Sequence, residues 1–187
     1  MNILEILRNT IKKESNINMV FIGVITDSKG EKNILELLKH NNFINKNNVI
    51  FIKEMNIDNI KNVHFDTVII NRKFDKMDEL NVILKNAKNI VINMDVNIDF
   101  KEIEVVSANI VTYGFNSKSS ITISSVTDDD VLICVQRNIY NKFGKIDIQE
   151  IKLEINERYD IYELIIVVVL FLLYIPNYKM IHINGIK

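Results

Sequence analysis

The sequence predicts an α/β fold, a three-layer and mostly parallel sheet that carries a small antiparallel subsheet. Three observations predict it. Up to residue 114, short runs of strand length recur that are apolar through their middles, as strands buried on both faces are. Segments with apolar residues at helical spacing separate these runs, which is the alternation of a parallel sheet. After Gly114 the runs instead alternate apolar with polar residues and are joined by tight turns, the pattern of antiparallel strands with one wetted face.

The elements follow in order. Residues 3–13 place Leu4, Leu7 and Ile11 on one stripe and predict a short amphipathic helix. Residues 19–25 predict a strand and 31–40 a helix, joined by the polar turn Thr26-Asp27-Ser28-Lys29-Gly30. Residues 49–52 and 67–70 are the next two strands. Residues 75–85 carry Met77, Leu80, Ile83 and Leu84 at helical spacing, and 90–92 and 110–113 are strands four and five. Residues 119–126, 131–135 and 147–155 predict three antiparallel strands, with Asp128-Asp129-Asp130 as a solvated turn. Residues 159–175 predict the closing helix. The whole is read as one domain over residues 1–187, with a parallel part to about 114 and the antiparallel subsheet over about 115–156.

Composition removes several classes of function. The chain has 187 residues, 48% of them hydrophobic, enough to bury one full core. Its 23 basic and 24 acidic side chains leave a net charge of −1, and no basic run interleaves with aromatics, so no nucleic-acid partner is expected. A single cysteine, Cys134, excludes an intrachain disulfide and fits a reducing, cytoplasmic compartment; its apolar neighbours make it a small buried hydrophobe. Residues 1–10 mix Leu and Ile with Glu5 and Arg8, so no signal peptide is expected. The apolar run over residues 164–175 is shorter than the roughly 20 residues of a membrane span. It reads as a core helix, with peripheral membrane docking as the alternative. His40, His64 and His182 have no partner at ligand spacing, so no metal site is expected, and no nucleophilic or catalytic grammar is present.

The turn after the first strand carries the only chemistry. A strand feeding a helix is where nucleotide-binding folds hold phosphates. Here, however, the position after Gly30, where a phosphate loop needs Lys, holds Glu31, and the next, where magnesium takes a hydroxyl, holds Lys32. A like charge near a phosphate costs on the order of several kcal/mol at an effective dielectric of about 20. Asp27 adds a second negative charge. The residues therefore predict a capped structural turn, with a working nucleotide site as the alternative.

Four stretches give this order a family likeness. Residues 23–33 are similar to a GVTGSKGKTT-type loop, residues 91–95 (Val-Ile-Asn-Met-Asp) to a V-I-N-A-D-D-P segment, and residues 110–116 (Ile-Val-Thr-Tyr-Gly-Phe-Asn) to a V-x-T-Y-G-F-N strand end. Residues 159–164 sit where a G-x-H-N-V-Y-N-A-L helix start would fall. Over residues 19–175 the chain resembles the central ATPase domain of the Mur ligases, which extend peptidoglycan precursors. The resemblance implies a phosphate-loop type of fold and a nucleotide site at Thr26, Asp27, Ser28, Lys29, Gly30, Glu31, Lys32, Asn33, Asn93 and Asp95. It implies Asn71 and Asp75 as retained positions, Lys76 where the family has His, and no counterpart of the metal-binding Glu. The expectation is a non-catalytic relic with no cofactor that works by binding, as a homodimer or to a cell-wall ligase. The alternative is the ATP- and Mg²⁺-binding component of an amide ligase completed by another chain.

Overall fold

The computed structural model describes residues 20–43, 48–104, 107–154 and 159–176. The helix expected over residues 3–13 and His182 lie outside these. Five strands, β1 (Phe21–Ile25), β2 (Asn48–Phe51), β3 (Thr67–Ile70), β4 (Asn89–Asn93) and β5 (Asn109–Tyr113), run parallel in the order β2-β1-β3-β4-β5. The chain steps from β1 to β2 on one side and returns to β3 on the other. That places the topological switch point between β1 and β3, where the carboxyl ends of open parallel sheets leave a crevice.

Strand alternation divides the core in two. Ile22, Val24, Ile69, Val91, Val111 and Tyr113 face one layer, while Ile25, Val68, Ile70, Ile90 and Ile92 face the other. The first layer is filled by α1 (Ser28–His40), through Ile34, Leu37 and Leu38, and by α4 (Ile161–Tyr174). The second is filled by α2 (Ile57–Ile60) and α3 (Met77–Leu84). This is the three-layer α/β fold the sequence predicts.

The antiparallel strands β6 (Ile121–Val126), β7 (Asp130–Val135) and β10 (Gln149–Glu154) continue the main sheet instead of forming one of their own. The resulting order is β10-β7-β6-β5-β4-β3-β1-β2. The junction is narrow: β5 meets β6 through the single parallel pair Tyr113↔Ile121. The reason lies in the first core layer, where Val131, Ile133, Val135 and Leu153 bury with Val111 and Tyr113 beneath the same helix. A separate two-stranded sheet is made by β8 (Ile139–Asn141) and β9 (Gly144–Ile146), which cover α4 with Ile139 and Ile146.

Helix α4 is buried from Glu163 to Leu173. A helix apolar all round has no wet face and needs cover on every side, and here α1, the sheet and β8–β9 supply it. Its 14 residues reach about 21 Å at about 1.5 Å per residue, short of the roughly 30 Å hydrocarbon core of a bilayer. No described helix is long and apolar enough to cross a membrane.

Candidate functional site

At the carboxyl ends of β1, β3 and β4 lies a cavity of about 290 Å³, lined by Thr26, Asp27, Lys29, Asn71, Asn93, Asp95, Val96, Asp160, Tyr162 and Glu163. It sits at the topological switch point. The turn that feeds it is a capped turn, shorter than the one expected. Only Thr26 and Asp27 separate β1 from α1, so Ser28, Lys29 and Gly30 already form the first helical turn. A phosphate loop wraps its anion with backbone N–H groups over several non-helical residues, and two residues cannot do so.

Local chemistry fixes this early helix start. Asp27 has extended backbone and is the N-cap of α1, its Oδ1 accepting the Gly30 N–H at 2.7 Å. That carboxylate satisfies one of the orphan amide groups an anion would need. Gly30 is buried against Thr26, and a Cβ built on it would collide with the Thr26 hydroxyl. Close packing against Thr26 is by itself enough to require glycine here.

The structure corrects the charge reading of this turn. Glu31 does not face the cavity; its carboxylate pairs with Lys53 beyond the end of β2 at 2.5 Å. Lys32 is exposed and also outside the lining. Asn33 points across to α4, donating from Nδ2 to Glu163 Oε2 at 2.8 Å. Of the ten residues that the resemblance nominates, Thr26, Asp27, Lys29, Asn93 and Asp95 line the cavity, whereas Ser28, Gly30, Glu31, Lys32 and Asn33 do not.

The floor is a chain of amide and hydroxyl bonds. Asn71 Oδ1 accepts from Tyr113 Oη at 2.7 Å and from Asn93 Nδ2 at 2.9 Å, and Asn71 Nδ2 donates to Thr26 Oγ1 at 3.4 Å. Asn93 Oδ1 in turn accepts the Asp95 N–H at 2.9 Å. Thr26, Asn71, Asn93 and Tyr113 are the last positions of their strands or the first beyond them, which is why parallel register brings them together. Tyr113 is completely buried, and burial raises its pKa well above the ordinary phenol value.

One wall is a clamp on Asp95. Its Oδ2 accepts the Phe115 N–H at 2.6 Å and the Tyr162 hydroxyl at 3.1 Å. Burial, then the bond to Asp95, pushes the Tyr162 pKa up to about 12. Gly114 makes the approach possible. It has φ of +139°, and a Cβ there would lie 2.5 Å from Asp95 Oδ2. Phe115 and Tyr162 meet edge to face with ring centroids 5.7 Å apart.

The other wall is the N-terminus of α4. Asp160 Oδ1 accepts the Tyr162 N–H at 2.9 Å, and Glu163 Oε2 accepts the Asp160 N–H at 3.3 Å, a reciprocal capping box. Burial raises the Glu163 pKa, against the opposing effect of the Asn33 bond. Among the described residues the charged groups on the lining are therefore Asp27, Asp95, Asp160 and Glu163 against Lys29.

Among the described residues no group of three or more His, Cys, Asp or Glu side chains is arranged to hold a metal ion. His40 bonds the Glu36 carbonyl one helical turn back, and Asp130 opens β7 while Asp128 and Asp129 form the turn. Sequence reasoning missed Asp160, Tyr162 and Glu163 as site residues. The signal was present in Asp160-Ile161-Tyr162-Glu163 ahead of an apolar run, a capping-box pattern. Comparison with protein-family models finds none that matches this chain, and comparison with curated proteins finds no match.

Proposed function

We propose that this protein is a non-catalytic, Mur-ligase-like binding domain whose carboxyl-end cavity no longer accepts nucleotide triphosphate. The observation that carries the proposal is the cavity's charge. Phosphoryl-transfer sites work by surrounding phosphate with Lys, Mg²⁺ and amide N–H groups. Among the described residues this lining offers four carboxylates and one ammonium, and both helix N-termini that face it are capped by carboxylates of the chain itself. Helix ends that would attract an anion are already neutralised. The likeness at residues 91–95 and 110–116 supports a cell-wall ligase as the partner class.

Lys29 is the observation that favours a second reading, the ATP-binding component of an amide ligase completed by another chain. It stands in the first turn of α1 and reaches the lining of the cavity. Calorimetric titration with ATP and Mg²⁺ separates the two. The binding-domain reading expects no saturable heat up to about 1 mM nucleotide, whereas saturation near 1 μM, about −8 kcal/mol, overturns it.

A further inference from the structure

We infer that the outer edge of β10 is a self-complementary surface on which two copies of this chain join their sheets around a two-fold axis. This edge lies apart from the cavity and does not depend on what the cavity binds. Among the described residues β10 is the last strand of the eight-stranded sheet, bonded to β7 on one side only. A strand in that position offers a row of backbone donors and acceptors to another chain. Natural edges block this with proline, bulges or charged side chains. β10 reads Gln149-Glu150-Ile151-Lys152-Leu153-Glu154: it has no proline, its register against β7 is unbroken, and its charged residues are of both signs, so they can pair as well as repel.

Side-chain period selects the occupant and the register. Ile151 and Leu153 lie on the face that packs beneath α4, and Glu150, Lys152 and Glu154 lie on the opposite face. An antiparallel two-fold pairing opposes residues of the same face, so the axis passes through a residue. Only axes at Ile151 and Lys152 keep five residues of the strand paired. An axis at Lys152 opposes Lys152 to itself and Glu150 to Glu154, all like charges. An axis at Ile151 opposes Glu150 to Lys152 of the second copy twice and sets the two Ile151 side chains against each other. Directly opposed unlike charges stabilise a strand pair and like charges disfavour it. The second copy of this chain is therefore the partner that the edge fits, as an isologous dimer.

Glu150 and Lys152 are both on the outside of the single chain. Glu150 accepts from the Ser124 hydroxyl at 3.1 Å, and Lys152 pairs with Asp130 at 3.0 Å with 60% of its side chain exposed. Substitutions at either site leave the core untouched. The experiment is sedimentation velocity over about 1–500 μM protein, the range of weak and standard interfaces. Wild type is expected to dimerise. Lys152→Glu opposes like charges at both axes and is expected to weaken the dimer at least about tenfold, while Glu150→Lys opposes like charges twice at the Ile151 axis. Mixed in equal amounts, the two variants restore both attractive pairs and are expected to recover a dimer, as is the double reversal E150K/K152E. Circular dichroism melts confirm that each variant is folded. The proposal is overturned by a wild type that stays monomeric throughout, by Lys152→Glu dimerising as wild type does, or by no association in the mixture.

Discussion

The two ends of the parallel sheet repeat one motif with opposite results. On the face beneath α4, strands β3, β4 and β5 begin with Thr67, Asn89 and Asn109, and Asn71, Asn93 and Tyr113 stand at their carboxyl ends. Each triplet forms a lateral chain of hydrogen bonds. At the amino ends Asn109 donates to Asn89 at 3.1 Å, Asn89 to Thr67 at 3.2 Å, and Thr67 shares a 2.6 Å bond with the Tyr174 hydroxyl. That chain ends on the closing residue of α4 and on the Tyr140 carbonyl, and it borders a cavity of about 640 Å³ with His64, Asp66, Lys88 and Lys142 on its rim. At the carboxyl ends the chain finishes on the Thr26 hydroxyl and the Asp95 backbone N–H, beneath a cavity lined by carboxylates. The amide ladders are thus a property of the sheet, and the helix ends above them decide the chemistry. Two capped helix N-termini surround the smaller cavity with acid, while the larger receives a helix C-terminus and mixed charge.

The largest expected effect breaks the carboxyl end alone. Gly114→Ala forces a side chain into a left-handed backbone conformation and onto Asp95, parting β5 from the Asp95 clamp. It is expected to lower stability by about 2–4 kcal/mol in urea unfolding. An unchanged midpoint would mean that the clamp bears no strain.

Tyr174→Phe tests the other end. It removes the hydroxyl that terminates the amino-end ladder and leaves Thr67 Oγ1 with Asn89 alone. The expected loss is about 1 kcal/mol, with the Asp95–Tyr162 contact unaltered. A loss as large as that of Gly114→Ala would show that the two ends are coupled through the sheet.

The smallest effect concerns pH. Glu163 is an acid whose folded pKa lies above its unfolded value because it is buried. The native state then holds the proton more tightly, so this group contributes stability at acid pH that is lost as pH rises from about 4.3 through the raised value. Glu163→Gln keeps an acceptor for Asn33 and removes the titration. It is expected to flatten the stability–pH curve in that window and to match or exceed wild type above it. A steeper fall in the variant would place the titrating group elsewhere.

Much of the fold was legible because strands buried on both faces announce themselves locally. Thr67–Ile70 is where the apolar run alone places it, and β4, β5 and β7 differ from expectation by a residue or two at their ends. The short elements were not legible. Ile57–Ile60 is four residues long, and β8 and β9 are three each, too brief for periodicity to distinguish from loop. The capped turn is as the residues predict, with Asp27 as the cap, but α1 begins at Ser28 and so takes in Ser28, Lys29 and Gly30, which the sequence assigns to the turn.

The sequence by itself determined the layers, the switch from parallel to antiparallel pairing and the polar residues at strand ends, because side-chain period and turn chemistry act between near neighbours. It also determined that Asp27 and Glu31 stand in or beside the turn after β1. Only the tertiary structure decided where those charges go. Glu31 turns outward to Lys53, while Asp160 and Glu163, more than 120 positions further along the chain, arrive at the cavity because α4 must bury every side of itself under the sheet. Charge in a cavity is a sum over elements brought together by packing, and no local pattern contains that sum.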